Sequence, residues 1–61
     1  MSQTWMFQNE ESRDKAKENV LPLRHPGNLT KWIDDFTVQL EGEVHAQTRT
    51  LLKQLRAKQI D

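Results

Sequence analysis

Between Leu29 and Leu55 the apolar residues recur in steps of three and four, the spacing of one face of an α-helix. On a wheel of about 100° per residue, Leu29, Trp32, Ile33, Phe36, Leu40, Val44, Thr48, Leu51 and Leu55 fall within roughly 160° of one another. Lys31, Asp34, Asp35, Glu41, His45, Arg49, Lys53 and Arg56 fall on the opposite side. Asn28 is a favoured N-cap just before this stripe, with Thr30 the alternative. Gly42 is the only interruption, at a cost of about 1 kcal/mol relative to alanine. The spacing predicts one amphipathic helix over about 29–60, roughly 50 Å long.

Such a stripe needs a cover. A chain of 61 residues buries only about 60% of its unfolded surface, and small proteins usually add disulfides, a metal or a second chain. There is no cysteine, and His25 and His45 lie twenty positions apart with no partner ligand at i+3 or i+4, so no metal or cofactor is expected. Association remains. The sequence therefore predicts an all-α protein that forms an antiparallel helical dimer or small bundle, possible tetramers included, through Leu29, Trp32, Ile33, Phe36, Leu40, Val44, Leu51 and Leu55. Asp34, Asp35, Glu41 and Glu43 in the first half of the helix would then oppose Arg49, Lys53, Arg56 and Lys58 in the second, about a crossing near Ala46. A mean step nearer 3.67 than 3.5 favours a straight pair over a strongly supercoiled coiled coil.

The first half supplies fewer apolar residues. Residues 1–8 read as an apolar arm whose Trp5, Met6 and Phe7 anchor it to the helical body or bind a partner; a short strand with Trp5 and Phe7 on one face is the alternative. Residues 9–21 read as a short polar helix capped by Asn9 or Ser12, with Glu10 and Glu11 at its positive end. Residues 22–28 read as a stiff connector, because Pro22 and Pro26 favour extended backbone before them and Pro26–Gly27 marks a turn. All four segments, the last of them the amphipathic oligomerisation segment 29–61, form one small domain.

No constellation for catalysis is evident. Asp34 and Asp35 diverge on a helix, Glu41 and His45 form at most a surface pair, and no phosphate loop or nucleophile motif occurs. An enzyme is not expected. Nine basic and nine acidic side chains cancel, so there is no global field towards nucleic acid or an anionic membrane. No apolar run is long enough for a membrane span and no signal peptide is evident, which places the expected site of action in the cytoplasm or a host-cell interior. The expected function is that of a small, non-catalytic regulatory or scaffold protein acting as a homo-oligomer with a protein partner, a build shared with accessory proteins of phages and plasmids. The alternative is a dimeric DNA-binding transcriptional regulator contacting nucleic acid through Arg49, Lys53, Arg56 and Lys58. In its order of strand, helix, turn and helix the chain resembles the ribbon–helix–helix repressors in outline. It departs from them in a first helix without an apolar face, an overlong second helix and a strand without a basic reader.

Overall fold

The computed structural model describes residues 2–60. Met1 of the expected arm and Asp61 of the expected helix lie outside them. The chain runs through strand β1 (Ser2–Met6), helix α1 (Glu10–Lys15), a π-helical stretch (Ala16–Val20), helix α2 (Leu21–Arg24), a 3-10 turn (Gly27–Leu29), strands β2 (Thr30–Trp32) and β3 (Thr37–Glu41), helix α3 (Ala46–Gln54) and strand β4 (Lys58–Gln59). The strands form one sheet in the order β2-β3-β1-β4, and every neighbouring pair is antiparallel. It follows that β1 is parallel to β2 with β3 between them, and β3 is parallel to β4 with β1 between them. Each parallel pair is joined through helix, as parallel strands require. Two such split β-α-β units interleaved give the connectivity called ferredoxin-like.

This corrects the all-α expectation. Among the described residues there is no 29–60 helix, and so no long helix from which the expected antiparallel dimer, bundle or coiled coil could be built; only Ala46–Gln54 of that span is α-helical. The stripe misleads because a step of four satisfies both periodicities. Trp32, Phe36, Leu40 and Val44 lie on one side of an ideal helix, but all are even-numbered and equally suit a strand of period two. Val38 separates the two cases. It lies off the helical stripe, yet it faces inward with Leu40 while Gln39 and Glu41 are more exposed, which is strand alternation. Asp34 and Asp35 fall in the turn between β2 and β3, and Gly42 sits at φ 75°, where the chain leaves β3. Left-handed backbone there favours glycine over any residue with a Cβ.

The N-terminal half does more than the sequence implies. Trp5 and Met6 belong to a central strand, not an arm, and Phe7 continues directly from it; Trp5 and Phe7 are both buried on its inner side. Asn9 caps α1: its side-chain oxygen accepts from the Ser12 N–H at 2.8 Å, and Glu10 and Glu11 occupy the first turn. The helical path then continues through Pro22 to Arg24 instead of ending at Leu21. In an unbroken α-helix the Pro22 ring would collide with a carbonyl one turn back. Here the Leu21 N–H reaches back five residues to the Ala16 carbonyl, and the widened turn just before Pro22 absorbs the ring.

The chain thereby completes its own core. Trp5, Val38, Leu40 and Leu52 have no exposed surface, and Phe7, Ala16, Val20, Leu21, Val44 and Ala57 pack around them. Phe7 stacks on Trp32 with ring centroids 6.0 Å apart. The Trp5 indole N–H is satisfied by donating to the Gln3 side-chain carbonyl at 3.1 Å. Of the eight residues expected at an oligomer seam, Leu40 and Val44 are buried within the single chain, and Trp32, Leu51 and Leu55 pack against its core. Leu29 is half-buried, while only Ile33 and Phe36 are exposed. The reason for obligatory self-association is thus removed.

Helix α3 ends in a Schellman motif: the Ala57 N–H donates to the Leu52 carbonyl at 3.0 Å and the Arg56 N–H to the Lys53 carbonyl at 2.9 Å. The motif puts Arg56 at φ 62°, a conformation usually given to glycine. Arg56→Gly is expected to stabilise the chain by about 1 kcal/mol and Gly42→Ala to destabilise it by about 1–2 kcal/mol, both measured by urea denaturation. Leu40→Ala should cost about 2–5 kcal/mol through cavity formation. The unfolding midpoint of each variant should be independent of protein concentration; a midpoint that rises with concentration would show that the core is shared between chains.

Candidate interaction surface

Residues paired directly across an antiparallel sheet point to the same face. Trp5, Val38 and Trp32 align across β1, β3 and β2, and their side holds the core and both helical segments. The other side carries Met6, Thr37 and Lys58 in one row, and Thr4, Gln39 and Lys31 in the next. Two isoleucines extend these rows. The Ile33 N–H donates to the Thr37 carbonyl at 2.9 Å, and the Ile60 N–H donates to the Thr4 carbonyl at 2.8 Å. By alternation from Lys31 and Lys58, both isoleucine side chains belong to this second face.

The result is a four-column surface about 14 Å wide at the usual strand spacing. Ile33 and Lys31 stand on the β2 edge, and Lys58 and Ile60 on the β4 edge, so the isoleucines occupy one diagonal and the lysines the other. Thr4, Met6, Thr37 and Gln39 fill the middle. Met6, Ile33 and Ile60 are 41%, 55% and 52% exposed. Lys31 and Lys58 form no ion pair among the described residues, and Glu41 at the end of β3 is the acid that shares their face.

Trp5 and Phe7, expected in a partner-binding arm, are committed to the core; Met6 alone of that trio reaches a surface. The four expected nucleic-acid contacts are all exposed but do not form one stripe. Arg49 borders a shallow concavity with Ser2, Gln3 and Gln59, whereas Arg56 borders another with Asn9, Ser12 and Lys15. Lys53 lies one turn beyond Arg49 on α3, and Lys58 belongs to the open sheet face. Among the described residues there is no group of three His, Asp or Glu side chains placed to hold a metal ion, and no helix long and apolar enough to cross a membrane.

Arg13 is a residue that sequence reasoning missed. Its guanidinium donates to the Asp35 carbonyl at 3.1 Å and lies 5.4 Å from the centroid of the Phe36 ring, tying α1 to the β2–β3 turn. Glu10 and Asp14 hold it from the helix side at 3.4 and 3.0 Å. No local pattern signals a contact across 22 positions. The same turn is braced by Asp34, whose Oδ1 accepts from the Phe36 N–H at 2.9 Å. That bond, together with the Thr37 hydroxyl, holds the Asp34 carboxyl below its ordinary value of 3.8.

Comparison with family models, curated proteins and solved structures yields no significant match for this chain.

Because the Asp34 carboxyl is more acidic in the folded chain, its contribution to stability is present above pH 3.8 and is lost as the pH falls through the lower folded value. Asp34→Asn keeps an acceptor for the turn but has no charge to lose. Its stability should decline less steeply than that of the parent below about pH 4, as followed by acid titration of tryptophan fluorescence. Identical acid limbs would show that the Asp34 carboxylate does not contribute to the pH dependence.

Proposed function

We propose that this chain is a small, non-catalytic protein-interaction module that meets its partner through the open face of the sheet. The observation that carries the proposal is the arrangement of Met6, Ile33 and Ile60, exposed on the one face that no helix covers, with Lys31 and Lys58 at the alternate corners. Apolar groups of this kind gain most when a partner excludes water from them, and methionine adapts readily to an irregular surface. The lysines select a partner with carboxylates around an apolar centre, since opposite charges steer encounter and like charges reject the wrong surface. A second copy of the chain fits less well, because its own face presents the same excess of lysine over acid.

Nucleic-acid recognition is the weaker alternative. Ferredoxin-like domains that read single-stranded RNA on their sheets do so by stacking bases on aromatic side chains. The open-face positions of the two central strands here, Ser2, Thr4, Met6, Thr37, Gln39 and Glu41, carry no aromatic ring, while Trp5 of β1 and Phe7 just after it are buried in the core. Arg49, Lys53, Arg56 and Lys58 are divided among different surfaces, so few can follow one phosphate backbone together.

A photo-crosslinking side chain placed at Met6 or Ile60 tests the module in cells of the source organism, with the same group at Glu18 on the outer side of the helical segment as control. Adducts with one defined protein are expected from the two sheet positions and not from position 18, and Ile33→Lys should abolish them without loss of fold. A self-adduct from the sheet positions would transfer the face to a homo-oligomer. Equal crosslinking from all three positions would remove the sheet face as the interaction surface.

A further inference from the structure

A cavity of about 260 Å³ opens on the helix-covered side of the sheet, at the β2 edge and away from the open face. It is lined by Lys17, Leu21, Pro22, His25, Gly27, Thr30 and Trp32. Three elements build it. The helical segment supplies Lys17 from one turn and Leu21 and Pro22 from the next; the connection to β2 supplies His25 and Gly27; β2 itself supplies Thr30 and Trp32. Most of the lining is apolar, with polar groups from Lys17, His25 and Thr30, the composition usual for small-molecule sites.

His25 is the unusual member. Its backbone N–H closes α2 by donating to the Leu21 carbonyl at 2.9 Å, which fixes the residue in place. Its side chain is 4% exposed, and Nε2 is buried with no hydrogen-bond partner. Buried polar atoms are nearly always paired, so one left over beside a cavity calls for an explanation. About one helical turn before Leu21, the Lys17 ammonium lies 5.5 Å from the centroid of the Trp32 ring and makes no ion pair among the described residues. A cation poised over an aromatic ring beside an apolar cavity can accept a carboxylate while keeping its contact with the ring. Thr30 donates its hydroxyl proton to the Pro26 carbonyl at 2.9 Å, so its oxygen remains available only as an acceptor.

We propose that this cavity binds a small aromatic carboxylate bearing a hydroxyl at its far end. The carboxylate pairs with Lys17, the ring lies against Leu21, Pro22 and Trp32, and the hydroxyl reaches the His25 imidazole. Residues 17, 21 and 25 are spaced so that the apolar Leu21 stands between the two polar ends, matching the order of groups in such a ligand. Because Nε2 is enclosed in the free chain, this contact requires the imidazole to turn towards the cavity. No bond is made or broken in the ligand. The site is separate from the partner-binding face and does not depend on it.

Three probes, 4-hydroxyphenylacetate, phenylacetate and 4-hydroxyphenylacetamide, distinguish the contacts when titrated into the ¹⁵N-labelled chain and followed by amide and indole chemical shifts. The hydroxy acid should bind saturably, shifting Lys17, Leu21, His25, Gly27 and the Trp32 indole, and each analogue should bind about tenfold more weakly. Lys17→Gln should erase the preference for acid over amide, and His25→Phe the preference for the hydroxylated acid. His25→Phe should also raise the melting temperature of the free chain, because it removes the unpaired nitrogen while keeping ring volume. Gly27 has open space where a Cβ would go, so Gly27→Leu offers a way to fill the cavity at little cost to the fold, and it should weaken all three probes. The absence of saturable shifts below about 10 mM, the weakest affinity expected of a site for a ligand of this size, would overturn the proposal. So would equal affinity for the three probes in the parent chain.

Discussion

The position of β1 is the constraint on which the molecule depends. This first strand lies between β3 and β4, and both of its edges are occupied by strands from later in the chain. Its inner face carries Trp5, whose indole is fully enclosed, and continues into Phe7, which stacks on Trp32. Without β1 the sheet separates into the β2–β3 hairpin and the short β4, neither with enough apolar contact to be stable alone. The helical segments then pack on the same side as Trp5, bringing Ala16, Val20, Leu21 and Leu52 over it. A chain with no disulfide can form a core at this length because its largest side chain sits at the centre of a sheet held from both edges.

That centrality is also why the sequence was only partly legible. The Asn9 cap, the acidic first turn and the placement of Trp5 and Phe7 on one face are local properties, readable from neighbours three or fewer positions away. Pairing between Trp5 and Val38, or between Trp5 and Gln59, is not local. Over Leu29–Leu55 the helical wheel reflects steps of four that a strand, a turn and a short helix share by accident of spacing. Its clean separation of charge came largely from Asp34 and Asp35 in a turn and from Arg49 and Lys53 on a genuine helix. The informative exceptions were Val38, whose enclosure the wheel denied, and Gly42, which the wheel treated as a tolerated interruption.

The candidate surfaces follow the same division. The chemistry of Met6 suits a binding residue, and it is exposed because strand alternation turns it away from its neighbours Trp5 and Phe7. Its companions Ile33 and Ile60 come from the two edge columns, 27 positions apart in the sequence, and only the sheet brings them onto one face. The cavity beside His25 likewise depends on the helical path continuing past Pro22, which single-residue propensities argue against. Where local preference was overruled, the outcome was a surface feature as well as a packed core.

The Ile60 N–H bonded to the Thr4 carbonyl has a topological consequence. Because β1 and β4 are antiparallel neighbours, the beginning of the first strand and the end of the last lie side by side at one border of the sheet. A short bridge from there would close the backbone into a ring, and the ring could be reopened at an exposed turn with every strand still in register. The same closeness lets the unit be spliced into a surface loop of a larger protein without stretching the host. In architectural terms it is shaped like a cassette, entered and left through a single doorway.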